Sequence, residues 1–195
     1  MSTAEDGRLR SPGAIPGEGG LWLFILADMT LFALFFAIVL IVRADDPAMF
    51  ARSSAELHQG LGLTNTLLLL TGSGLVAAAV RATRRADDRL AARLLGAAIV
   101  CAAGFLAIKA IEWRDLLANG HSVSTDSFFQ LYFMLTGMHL AHVLIGTATL
   151  VFLLRRLRQP APGPHDARLL EGGAGYWHMV DLLWLVLFPL LYLIG

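Results

Sequence analysis

Residues 128–154 read FFQLYFMLTGMHLAHVLIGTATLVFLL, an apolar run with no Asp, Glu, Lys or Arg in it. A helix needs about 20 such residues to cross roughly 30 Å of hydrocarbon, and this stretch is long enough. A transmembrane β-strand would be shorter and would alternate in polarity, which this run does not. It reads as a membrane-spanning helix. Four more segments follow the same rule: Leu21 to Val42 with the single charge Asp28, and Leu63 to Val80 with none. Leu90 to Trp113 holds Arg93 near its start and Lys109 and Glu112 near its end, and Ala174 to Ile194 holds only Asp181. The expected fold is an all-α membrane protein of five transmembrane helices.

Composition agrees. Of 195 residues, 56% are hydrophobic and 15% charged, where a soluble domain carries about a quarter charged residues. The formal charge of zero gives no basic field for nucleic acid. Cys101 is the sole cysteine and lies in an apolar run, which excludes an internal disulfide and a thiolate metal cluster. Residues 1–20 mix Pro, Gly and both signs of charge without an apolar core. They are expected to form a flexible cytoplasmic tail rather than a cleaved signal peptide, ahead of one five-helix domain over residues 21–195.

The arginines orient the chain. Arg81, Arg84, Arg85 and Arg89 fall between the second and third segments, and Arg155, Arg156, Arg158 and Arg168 between the fourth and fifth. The other two links hold only Arg43, Arg52 and Arg114. Positive residues stay on the cytoplasmic side, so the amino terminus is expected inside and the carboxyl terminus outside. Pro160, Pro162, Gly163 and Pro164 mark the fourth link as a turn-rich loop. Gly72, Gly74, Gly96, Gly104 and the Gly137–Ala141 pair place small residues where helices can approach closely.

Charged and polar groups inside a span are costly and each calls for a reason. Asp28 and Asp181 both stand about two turns past the start of spans that enter from the same side, hence at similar depth. His178 lies one turn before Asp181 on the same face, and His139 and His142 share a face of the fourth span. For Asp28 the choice is a proton-relay or cavity carboxyl against a buried interhelical hydrogen bond, and the second is preferred. Two histidines three apart could ligate a metal, but a transition-metal site needs further ligands, and interhelical hydrogen bonding is preferred. Lys109 and Glu112 are spaced to pair within one helix, read as an interface-level ion pair. Trp22, Trp113 and Trp177 read as interfacial anchors, and the deeper Trp184 as helix packing. No nucleotide loop or nucleophile motif is present.

Longer motifs carry a resemblance. The last span, YWHMVDLLWLVLFPLLYL from Tyr176 to Leu193, contains Tyr176, Trp177, His178, Asp181 and Trp184 in an aromatic-Trp-His-x-x-Asp-x-x-Trp pattern. The fourth holds Thr136, Gly137, His139, His142, Val143 and Gly146, and the third ends KAIEW with Glu112. With NTLLLLTGS from Asn65 and LFILADMTLFALFF around Asp28, these resemble subunit III of the haem-copper respiratory oxidases, in order and over nearly the whole chain. Many members of that family have seven helices, and the resemblance here covers five, without the first two. Asp28 stands where mitochondrial-type members have Glu, and the five-helix form is similar to quinol oxidase subunit III and to the nitric-oxide-reductase-associated branch.

The resemblance implies a non-catalytic accessory subunit of an aerobic terminal oxidase in the bacterial inner membrane. Such a subunit binds no haem or copper, packs against the catalytic haem-copper subunit I, holds structural phospholipid in a cleft and supports proton uptake. Asp28, Glu112, His139, His142, Trp177, His178 and Asp181 would then be lipid-cleft or helix-knitting residues. The alternatives are an accessory subunit of a nitric oxide reductase, an independent membrane transporter or enzyme, and a metal-binding redox subunit.

Overall fold

A computed structural model describes residues 19–159 and 164–194, so the expectation for the amino-terminal tail and for Pro160, Pro162 and Gly163 falls outside the described residues. The helices are α1 (Gly19–Asp45), α2 (Pro47–Ser54), α3 (Gln59–Arg84), α4 (Asp88–Ala118), α5 (Ser127–Leu157) and α6 (Pro164–Tyr192). All but α2 are long and apolar enough to cross a membrane. The chain is a multi-pass membrane protein of five such helices.

The helices outrun the apolar segments at both ends, except that α6 stops at Tyr192, short of Ile194; a helix needs no apolar residue once it has left hydrocarbon. The largest extension is at α6, which begins at Pro164, where proline's fixed φ suits a first helical position. Helix α2 was not expected. Asp46 caps it by accepting from the Met49 N–H at 2.9 Å, and Pro47 follows at its first position, so its start signal is local and its eight residues are too few for hydropathy to register.

Two tight links make α3, α4 and α5 antiparallel neighbours. After α3, the Asp87 N–H returns to the Ala82 carbonyl at 3.0 Å and the Ala86 N–H to Thr83 at 2.9 Å, a Schellman closure. Asp87 then caps α4 through the Leu90 N–H at 3.0 Å. After α4 the same closure runs from His121 to Leu116 and from Gly120 to Leu117. Its left-handed residue is Gly120, at φ 86°, whereas the first closure puts Ala86 there at φ 58°.

Helix α6 is the hub. It packs on α3, α5 and α1, and α3 on α4, α4 on α5 and α5 on α1 complete an arc around it. Its buried face carries Trp177, Trp184, Leu187, Leu191 and Tyr192. Close approach depends on glycine at three points: a Cβ on Gly146 of α5 would stand 2.9 Å from the Trp177 indole, one on Gly62 of α3 2.8 Å from Phe188, and one on Gly173 of α6 2.7 Å from Leu153. Among the glycines expected to play this part, Gly72, Gly104 and Gly137 do face neighbouring helices, but Gly74 and Gly96 have nothing within 4 Å; both lie on outward faces. Helix α1 buries only the stripe Ile25, Asp28, Phe32 and Val39, a heptad-like seam that leaves most of its circumference apolar and exposed.

Candidate functional site: polar ties inside the bundle

The ends of the bundle differ in charge. Arg84, Arg85, Arg89, Arg155 and Arg158 gather where α3 and α5 end and α4 begins, and Arg84 reaches Glu171 of α6 at 2.9 Å. At the opposite end Arg43 Nε donates to the Ile194 carbonyl at 2.5 Å and Gln59 Nε2 to the Tyr192 carbonyl at 3.0 Å. The Ser53 hydroxyl donates there to Asp126 at 2.6 Å.

Nearest that second end, Lys109 and Glu112 form a fully enclosed pair. Nζ stands 2.8 Å from Glu112 Oε2, with the side chains 2% and 1% exposed. Lys109 also donates to the Tyr192 hydroxyl at 2.7 Å and the Tyr132 hydroxyl at 3.2 Å, and Tyr192 donates to Glu112 Oε1 at 2.6 Å. All three ammonium protons and both carboxylate oxygens are thereby partnered, the condition under which a buried ion pair is tolerated. The ammonium also lies 4.9 Å from the Trp184 ring, a cation–π contact. The expected ion pair forms at its i, i+3 spacing, and rings from α5 and α6 close over it.

In the middle of the bundle His139 is fully buried, with rings of Phe105 and Trp184 at 5.7 and 5.2 Å. Neither of its ring nitrogens has a partner among the described residues. The preferred reading of His139 as an interhelical hydrogen bonder is thus not met, because aromatic rings occupy its surroundings. Trp184 Nε1 donates to Thr66 Oγ1 at 3.0 Å.

One turn along α5, His142 does tie two helices. Its Nε2 lies 3.1 Å from Asp28 Oδ1, and its Nδ1 lies 2.7 Å from the Met138 carbonyl. A carbonyl only accepts, so Nδ1 carries a hydrogen and the Asp28 contact holds one shared proton, as imidazolium with carboxylate or imidazole with carboxyl. The Tyr176 hydroxyl donates to the His142 carbonyl at 3.4 Å, adding α6 to the junction.

A third cluster joins α3 to α6. Ser73 Oγ lies 2.6 Å from His178 Nδ1, with Asp181 one turn further along α6. Phe24 stacks on Tyr176 while Arg43 meets Ile194, so α1 and α6 run parallel in a register that puts Asp28 level with Asp181. Trp177 is 1% exposed, its ring wedged between Gly72 and Gly146. The interfacial-anchor reading is corrected for it: α6 begins ten residues before its apolar segment, which takes Trp177 away from a helix end. Trp113 packs edge-on against Phe133 at 5.5 Å, and Trp22 is partly exposed as an anchor would be.

The structure thus brings Asp28 to His142, Ser73 to His178, and Glu112 to Lys109, while His139 and His142, one turn apart on α5, meet different surroundings. Among the described residues no group of three or more His, Cys, Asp or Glu side chains converges as a metal site. Sequence reading assigns no interior contact to Tyr132, Tyr192, Ser73 or Tyr176, although Tyr176 belongs to the motif of the last span. All four act across long sequence separations, and none is unusual for an apolar span.

These features define a class: a multi-pass helical membrane protein whose buried polar groups tie neighbouring helices together. The sequence model for cytochrome c oxidase subunit III matches residues 17–195. The chain belongs to that family. It is 29% identical over 177 residues to cytochrome c oxidase subunit 3 of Bacillus sp. (strain PS3), covering 90% of this chain and 84% of that protein. It is 26% identical over 201 residues to quinol oxidase subunit 3 of Bacillus spizizenii, covering 100% of this chain and 98% of that one. The heme-copper oxidase subunit I+III of Aeropyrum pernix is 28% identical over 184 residues, which are 91% of this chain and 22% of that protein.

Proposed function

We propose that the chain is the non-catalytic accessory subunit III of an aerobic haem-copper terminal oxidase in a bacterial inner membrane. It packs against the catalytic subunit I, which carries the haem and copper. The observation that supports this most is the family match along nearly all of the chain, with relatives bearing both cytochrome c and quinol oxidase names. The name of the fused Aeropyrum pernix relative joins subunits I and III in one polypeptide, which favours a partner of that kind.

The described polar groups suit such a role because they connect helices. Asp28 with His142, Ser73 with His178, and the Lys109–Glu112 pair with Tyr132 and Tyr192 hold a scaffold in shape. In this reading the arginine-rich end faces the cytoplasm, where Arg84, Arg85, Arg155 and Arg156 meet anionic lipid headgroups. Lipid held there and a rigid scaffold together support proton uptake by subunit I during turnover. Activity of the purified oxidase with and without this chain tests the role. Haem content should persist without it, while sustained oxygen consumption should fall and return on adding the chain back. Loss of all haem chemistry along with the chain would instead make it part of the catalytic centre. If neutralising the four arginines removed no co-purifying anionic lipid, the headgroup assignment would be wrong.

A further inference from the structure

The arc of α3, α4, α5 and α1 around α6 is open on one side: among the described residues α1 packs on α5 and α6 and makes at most slight contact with α3. Through this gap α6 shows a single stripe: His178 is half-buried, Leu182 is 50% exposed, and Leu185, Val186 and Leu193 continue it. The spacing is that of one helix face. The outer faces of α4 and α5 are uniformly apolar at mid-helix. On α4 the exposed residues are Ala97, Val100, Ala103 and Ala107, and on α5 they are Ala141, Leu144, Ile145 and Ala148. Acyl chains suit those surfaces.

They do not suit the groove. Asp181 is 6% exposed and its Oδ1 has no partner, beside the half-buried Ser73 and His178. Ser73 Oγ takes up His178 Nδ1, which leaves His178 Nε2 to be met from outside this pair. Hydrocarbon offers it no hydrogen-bond partner, and polar groups at this level normally face protein.

We infer that the groove over α6, between α1 and α3, seats a transmembrane helix of the haem-carrying subunit, with a hydroxyl or amide side chain hydrogen-bonded to His178. This rests on the accessory-subunit reading above, and the helix-in-groove arrangement matches the periodic stripe. The test is a photo-reactive benzophenone amino acid placed at Leu182 or Val186 in the assembled complex, with Val100 and Leu144 as comparisons. Cross-links from 182 and 186 to the haem subunit, with lipid adducts from 100 and 144, are expected. Lipid adducts alone, or a second copy of this chain, at 182 and 186 would overturn the groove assignment while leaving co-purification intact. Absence of any haem subunit from the preparation would overturn the accessory reading itself, and the groove assignment with it. His178→Leu should weaken retention of the haem subunit under harsher detergent at least tenfold, and His178→Gln, which keeps an acceptor, should restore part of it.

Discussion

Lys109 is the chain's only lysine, and it is enclosed with Glu112 by Tyr132, Trp184 and Tyr192. Removing one partner strands the other charge where water cannot reach, at about 3–5 kcal/mol. Glu112→Gln should therefore destabilise the bundle by that order, measured as denaturant unfolding in detergent. The double change Lys109→Met with Glu112→Gln should recover much of the loss, because no net buried charge remains. If the single change costs under about 1 kcal/mol, the pair is hydrated and the enclosure described here is wrong. The i, i+3 spacing made this pair legible in the sequence. Its enclosure was not, since Tyr132 and Tyr192 come from other helices and nothing local marks them as its partners. Likewise His139 and His142 look equivalent in sequence, yet one meets Asp28 and the other meets rings.

At the scale of helices, packing against α6 turns on small residues. Gly146→Ala would drive a methyl into the Trp177 indole, a clash between two helices with little room to yield. A loss of about 1–3 kcal/mol is expected, with Gly74→Ala neutral or slightly stabilising because nothing lies within 4 Å. The α3–α4 link predicts the opposite sign. Ala86 sits at φ 58°, where a Cβ costs about 1–2 kcal/mol. Ala86→Gly should raise stability by up to about 1 kcal/mol, the unfolded chain's extra freedom cancelling part of the relief. Thermal unfolding of the two variants in one detergent checks both signs. Hydropathy found the five spans because length and apolarity are local properties. It placed their ends short because the arginine-bearing turns are helical without being apolar. The same shortfall carries over to Trp177, which reads as terminal only when its helix begins at Ala174. Helix α2 was readable from Asp46–Pro47, a cap followed by a first-turn proline, but not from any apolar pattern.

For the whole molecule, the charge asymmetry of the two ends makes a topological prediction. Alkaline phosphatase fused in the 119–126 link should be exported and active, and fused at residues 85–87 it should be inactive. The reverse pattern would invert the orientation. What the molecule does rests on its partner, and neither composition nor interior geometry supplies that; the long motifs of the fourth and last spans did, since their residue order is specific to a family. Mild-detergent purification of the tagged chain, followed by an optical spectrum and mass spectrometry of what accompanies it, is the most direct test. A haem-bearing subunit I in stoichiometric amount, with its haem absorption bands, is the predicted result. Recovery of the chain alone, under conditions that keep other respiratory complexes intact, would contradict the accessory-subunit account.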